Sequence, residues 1–138
     1  MQRLIVAAAI VAVAATVAFV IRRRSSPDAP TQQRHRVPAQ LDRADFTNPD
    51  VDWLIVVFTS ATCDTCADTV TKAQVLASRS VAVEEVEYTS DRERHRRYAI
   101  DAVPTLIVAD SAGVVQASFV GRVSATDLWA AVAEVRKP

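Results

Sequence analysis

Glycine and cysteine are both scarce in this chain, with two copies of each among 138 residues. Gly-rich loops that cradle phosphate need glycines at fixed short spacings, and Gly113 and Gly121 stand too far apart to form one. Two cysteines exclude a disulfide-laced secreted scaffold and a four-cysteine zinc site. The first of them is Cys63, so no lipid-attachment cysteine follows the apolar N-terminus. Net charge is also missing: 16 basic groups balance 16 acidic ones, and the total gives no sign of a nucleic-acid partner. At this length the chain has room for one domain.

What is present is unevenly spread. Residues 4–21 read LIVAAAIVAVAATVAFVI, in which 17 of 18 residues are apolar and Thr16 is the exception. As a helix, this run spans roughly 27 Å, enough for a hydrocarbon core. Its far end meets Arg22-Arg23-Arg24 in place of a small-residue cleavage site, and it lacks the polar face of a soluble core helix. It is therefore expected to be a single-pass anchor in the lipid bilayer of a cell membrane. Three arginines directly after it, against Arg3 before it, favour a cytoplasmic C-terminal domain, with an extracytoplasmic domain as the alternative. Residues 22–37 read as a basic, Pro-containing tether whose arginines face anionic headgroups and whose His35 is exposed without a ligand partner. The neutral total is a cancellation: residues 1–36 carry six basic and one acidic group (+5), and residues 37–138 carry ten and fifteen (−5).

From 38 to 138 the pattern is that of one α/β domain. Trp53–Thr59 (WLIVVFT) is a continuous apolar, β-branched run, as in a strand buried on both faces. A helix is expected from Cys63 to about Arg79, a strand over Val81–Tyr88, and a short helix opened by a Ser90/Glu93 capping box. Thr105–Ala109 and Val114–Val120 flank the turn Asp110-Ser111-Ala112-Gly113 and should pair as a hairpin. Ser124 and Asp127 then cap a final helix. The order β-α-β-α-β-β-α, with a short strand near Leu41–Phe46, implies a partly parallel sheet with helices on its faces. Arg92, Arg94, His95, Arg96 and Arg97 crowd the short helix, but Asp91 and Glu93 interrupt them, which fits a solvated face better than a nucleic-acid patch. Trp53 and Trp129 are expected to pack in the core or at its rim.

Cys63-Asp64-Thr65-Cys66 is the sharpest feature, four residues past the buried strand and at the start of the expected helix. Free N–H groups and the helix dipole would stabilise a thiolate there, and the two-residue spacing lets the second thiol reach the first. A zinc reading lacks its other half, because there is no second CxxC and both histidines lie among arginines. Haem attachment fails because residue 67 is Ala. No metal or organic cofactor is expected.

Past the cysteines, Val103-Pro104 opens the strand Thr105–Val108. FTSATCDTC, then YAIDAVPTLIVAD, then SFVGRVSATDLWAAV resemble the thioredoxin family over about residues 40–138. The separation of Cys66 from Pro104, 38 residues, falls in that family's range. The resemblance implies a thioredoxin-like fold, a mixed central sheet flanked by helices. It also implies a cis Pro104 packed against the disulfide, a Val103 backbone that pairs with an extended substrate segment, and a Gly121 that lines the same groove. Thr62 replaces the family's tryptophan, Asp64-Thr65 its Gly-Pro, and Val57 the buried acid that accepts the second thiol's proton. Glu85, where the family has a buried lysine, is the candidate substitute acceptor. Left buried without a partner, such a carboxylate would be costly.

Asp64 and Asp68 oppose a neighbouring thiolate, so the pair is expected to lean towards reductant or exchange catalyst. The leading expectation is a membrane-tethered thiol–disulfide oxidoreductase with Cys63 as nucleophile and Cys66 as resolving thiol. Its partners would be a protein disulfide or dithiol client and an external reductant, without nucleic acid. The alternatives are a redox-silent thioredoxin-like binding module and an extracytoplasmic disulfide carrier in cytochrome maturation.

Overall fold

A computed structural model describes residues 35–137 of the chain. The anchor expected at 4–21 and the tether up to residue 34 lie outside the described residues. Among the described residues, no helix is long and apolar enough to cross a membrane.

Four strands, β1 (Trp53–Thr59), β2 (Val81–Glu87), β3 (Thr105–Ala109) and β4 (Val115–Val120), form one sheet in the order β2-β1-β3-β4. β1 runs parallel to β2 and antiparallel to β3, and β4 closes a hairpin with β3. Three helices, α1 (Cys66–Gln74), α2 (Arg92–Arg97) and α3 (Ala125–Val135), complete the expected order.

The apolar run of β1 explains this arrangement. Residues 54–59 are all buried, and successive side chains face opposite sides of the sheet. Leu54, Val56 and Phe58 pack with Phe46, Val86, Tyr98 and Ile107 on one face. Ile55 and Val57 pack with Leu106, Val108, Leu128 and Val132 on the other. Each such side chain contributes roughly 1.5–3 kcal/mol by leaving water.

Polar groups, on side chains and backbone, correct three sequence expectations. The segment near Leu41–Phe46 is no strand: Gln40 bridges to Val114, and Arg43–Asp45 then form one 3-10 turn. Its cap is Asp42, which accepts from the Ala44 N–H at 3.0 Å. Buried Arg43 fixes this shape by donating to the carbonyls of Asp110 and Val51, each at 2.7 Å. Helix α1 is shorter than the expected 63–79. It stops at Gln74 because Leu76 and Ala77 donate three residues back, and Ser80 must extend to accept from the Trp53 N–H. α2 is capped by Asp91, which accepts from the Arg94 N–H at 2.9 Å, while Ser90 donates to Glu87 instead.

Helix α2 is tied to the sheet through its own arginine. Arg94 reaches Asp91, Glu84 and the Asp45 carbonyl, and Glu84 also accepts from the N–H and hydroxyl of Thr47. Tyr98 at the helix end donates its hydroxyl to Asp45 and accepts from the Asp42 N–H at 3.1 Å. Burial, together with the bond to Asp45, pushes this phenol up to about 12 from 10.0. The neutral form is the one the fold holds, so its contribution is present below pH 10 and lost as pH rises towards 12. Tyr98→Phe should therefore flatten the alkaline limb of a stability–pH curve measured by denaturant titration.

The turn before β4 needs its glycine twice over. Gly113 has φ +80°, and a Cβ there would stand 2.0 Å from the Leu41 carbonyl oxygen. Gly121 has φ +82° but nothing within 4 Å of such a Cβ. Gly113→Ala should thus cost at least about 2 kcal/mol, and Gly121→Ala about 1 kcal/mol from backbone strain alone. Midpoints of urea unfolding check the difference.

Candidate functional site

Sheet register brings the chemistry together. β1 ends at Thr59, beside Glu87 at the end of β2; Phe58 pairs with Thr105 at the start of β3, which pairs with Val120 at the end of β4. One end of the sheet therefore gathers the loop to Cys63, the turn after Glu87, Pro104 and Gly121.

At that end Cys63 and Cys66 are joined by a disulfide with Cα atoms 5.5 Å apart. The Cys63 N–H donates to the Ser60 carbonyl at 3.1 Å and the Cys66 N–H to the Cys63 carbonyl at 3.3 Å. Residues 60–66 are thus two tight turns, and the helix begins at Cys66 rather than at Cys63 as the sequence led us to expect. The first helical i→i+4 bond runs from the Thr69 N–H to the Thr65 carbonyl, so Cys63 lies ahead of the helix it was expected to open. Cys63 is half-buried, whereas Cys66 is only 4% exposed. A thiol chain reaction needs this asymmetry, because an incoming disulfide must meet one sulfur and the other must wait beneath it. Asp68, one of the two acids expected to oppose the thiolate, is engaged by Lys72 at 2.6 Å, while Asp64 is exposed.

The Val103–Pro104 peptide bond is cis. The Pro104 carbonyl accepts from the Gly121 N–H at 2.7 Å, which fixes the two loops side by side. Val103 itself has no backbone hydrogen-bond partner among the described residues, so both its polar groups stay open to an extended ligand. Space above Gly121 is empty, and its positive φ is what calls for glycine there.

Val57 is fully buried among hydrocarbon, leaving no acid beneath the disulfide at that position. Its register partner is Glu85, which is exposed and accepts from the Thr59 hydroxyl at 2.7 Å. The concern over a buried unpaired carboxylate is thereby removed. A cavity of about 350 Å³ is lined by both cysteines, Ala67, Val70, Glu85 and Glu87. Glu87 and Thr59 were not singled out in the sequence, although Glu85 and Glu87 alternate onto one face of β2. Glu87 accepts from the N–H groups of Ala61 and Ser90 and from the Ser90 hydroxyl. Backbone bonds from Thr89 and Ser90 hold its carboxyl down to about 2. It fixes the loop that leads into Cys63.

His95 departs from the solvated face expected of α2. It is 3% exposed, its Nε2 donates to the Val86 carbonyl at 2.9 Å, and Phe58 and Tyr88 meet it edge-on. A helix position with arginines on both sides still turns inward when its spacing points at the sheet. His35 is exposed as expected but does find a partner, Asp101 Oδ1 at 3.2 Å. Trp53 packs at the rim of the second core, while Trp129 is 42% exposed with its Nε1 donating to the Lys72 carbonyl. Among the described residues, no group of three or more His, Cys, Asp and Glu is placed to hold a metal ion.

Among solved structures, the germline-specific thioredoxin Deadhead from Drosophila melanogaster aligns with a TM-score of 0.55 at 21% identity, over 63% of this chain and 84% of its own. The fold is thioredoxin-like. A structure described as that of a malarial protein aligns with a TM-score of 0.55 at 19% identity, over 60% of this chain and 96% of its own. No protein-family model and no curated protein matches the sequence. At these identities the likeness concerns the thioredoxin-like fold alone, with a cysteine pair at its sheet end capable of thiol–disulfide exchange.

Proposed function

We propose that the protein is a membrane-tethered thiol–disulfide oxidoreductase that reduces or exchanges protein disulfides, held to the bilayer by residues 4–21. The observation that carries this reading is the pairing of an accessible Cys63 with a buried Cys66 beside an open Val103 backbone. In the dithiol form, the Cys63 thiolate attacks a client disulfide, forming a mixed disulfide and releasing one client thiol. Glu85, or water held by it, takes the Cys66 proton. The Cys66 thiolate then attacks Cys63 Sγ, releases the second client thiol and leaves the Cys63–Cys66 disulfide. Two electrons and two protons pass to the client, and an external dithiol reductant restores the enzyme. Val103 pairs with the client strand, Pro104 holds that loop in place, and Gly121 leaves room beside it. No metal or organic cofactor enters the cycle.

A second reading, a redox-silent binding module, is favoured by Val57, since without a buried acid the resolving thiol loses its usual proton acceptor. Turnover of a model protein disulfide with a dithiol reductant separates the two. Cys63→Ser should abolish it, Cys66→Ser should accumulate the mixed disulfide, and Glu85→Gln should slow resolution about tenfold. Equal rates for wild type and Cys63→Ser would leave the binding module.

Tethering has its own test. The full chain should remain with the membrane fraction at high salt and resist external protease in intact cells, the topology that the arginines after residue 21 favour. Cleavage in intact cells would move the domain outside and favour the disulfide-carrier alternative, and a chain that stays in the soluble fraction would overturn the tether.

A further inference from the structure

Two cavities continue from the redox end of the sheet along α2. One, of about 250 Å³, runs between Ser60 and Val103 over Tyr88 and Ile100. The next, of about 530 Å³, shares Tyr88, His95, Ile100 and Asp101 and is walled by Arg92 and Arg96. Those two arginines stand one helical turn apart, both exposed, and neither has an ion-pair partner among the described residues. Arg92 is held over the Tyr88 ring at 5.4 Å, which places its charge on the groove wall. The other arginines of α2 are occupied, Arg94 by Glu84 and Asp91 and Arg97 by Asp42 and Asp45. Asp101 is the one carboxylate lining either cavity, and His35 engages it.

The opposite face of the sheet carries the reverse sign, with Glu85 and Glu87 in the cavity beside the cysteines and Asp64 exposed. A polypeptide lying across this end of the sheet thus meets negative charge on one side and unpaired positive charge on the other.

We infer that the Tyr88–Ile100 groove is a client-docking subsite that selects an extended segment with an apolar side chain near its disulfide and a carboxylate beyond it, received by Arg92 and Arg96. This rests on the oxidoreductase reading and names the class of client. Charge complementarity calls for an acidic occupant, since Arg92 and Arg96 are unpaired among the described residues and Asp101 is engaged by His35. The apolar stretch that joins the arginines to the open Val103 backbone fits a peptide better than a membrane surface. The histidine under the groove sets its floor, with Nε2 spent on the Val86 carbonyl.

The test uses the purified full chain and two labelled extended peptides, matched in apolar residues and differing only in two Glu against two Gln. Fluorescence anisotropy should show the Glu peptide binding about fivefold tighter at low salt. That preference should vanish in Arg92→Gln/Arg96→Gln and shrink at high salt. Equal affinities for the two peptides, or a preference that survives the double variant, would overturn the subsite. Binding of anionic vesicles through the same arginines, without peptide preference, would overturn it in favour of a lipid contact. Turnover of a small uncharged disulfide is measured in parallel. It should be unchanged in the double variant, and its absence in wild type would strike the oxidoreductase reading while leaving the peptide result intact.

Discussion

Pairing β1 on both of its edges is the constraint on which the molecule depends. A strand without a polar face has to be covered above, below and at both sides, and only a central position meets all four demands. Once β1 is central, β2 must reach it through a helix, and β3 must turn back beside it. The loops at one end are then forced together. Cysteines, proline and glycine are far apart in the chain, and their meeting is a by-product of hiding six residues from water.

Features governed by hydrophobic period or by rigid chemistry were legible in the sequence. The strands followed from their apolar runs, the final helix from Ser124 and Asp127, and the redox candidate from two cysteines and one proline. Competition among polar groups was not legible. Ser90 and Asp91 both qualify as caps, and Glu87 settles the choice by taking Ser90 from across the turn. Arg43 reads as a surface residue, yet three backbone carbonyls from two loops draw it inside. His95 was hidden by its neighbours, because composition averages over a helix whereas its geometry turns one residue in several towards the sheet.

The site differs from the pattern that the family resemblance led us to expect at Val57, a hydrocarbon where that pattern has an acid. In the proposed cycle the acceptor for the inner thiol is therefore Glu85, which is exposed and steadied by Thr59. The buried face of the sheet meanwhile retains uninterrupted packing between Val57, Leu106 and Leu128.

His95 has one more effect, on the company the protein keeps. β2 and β4 are the outer strands of the sheet, and outer strands invite neighbours to join them. On β2 the imidazole occupies the Val86 carbonyl, and Glu84, Glu85 and Glu87 would set like charges against a second copy laid alongside. On β4 the entry is taken by Ala39 and Leu41, which bond to Val115 and Gly113. Lateral growth into aggregates is thereby discouraged on both flanks. The end of the sheet, where the sulfurs are, carries no such guard from the imidazole or from the segment around Ala39.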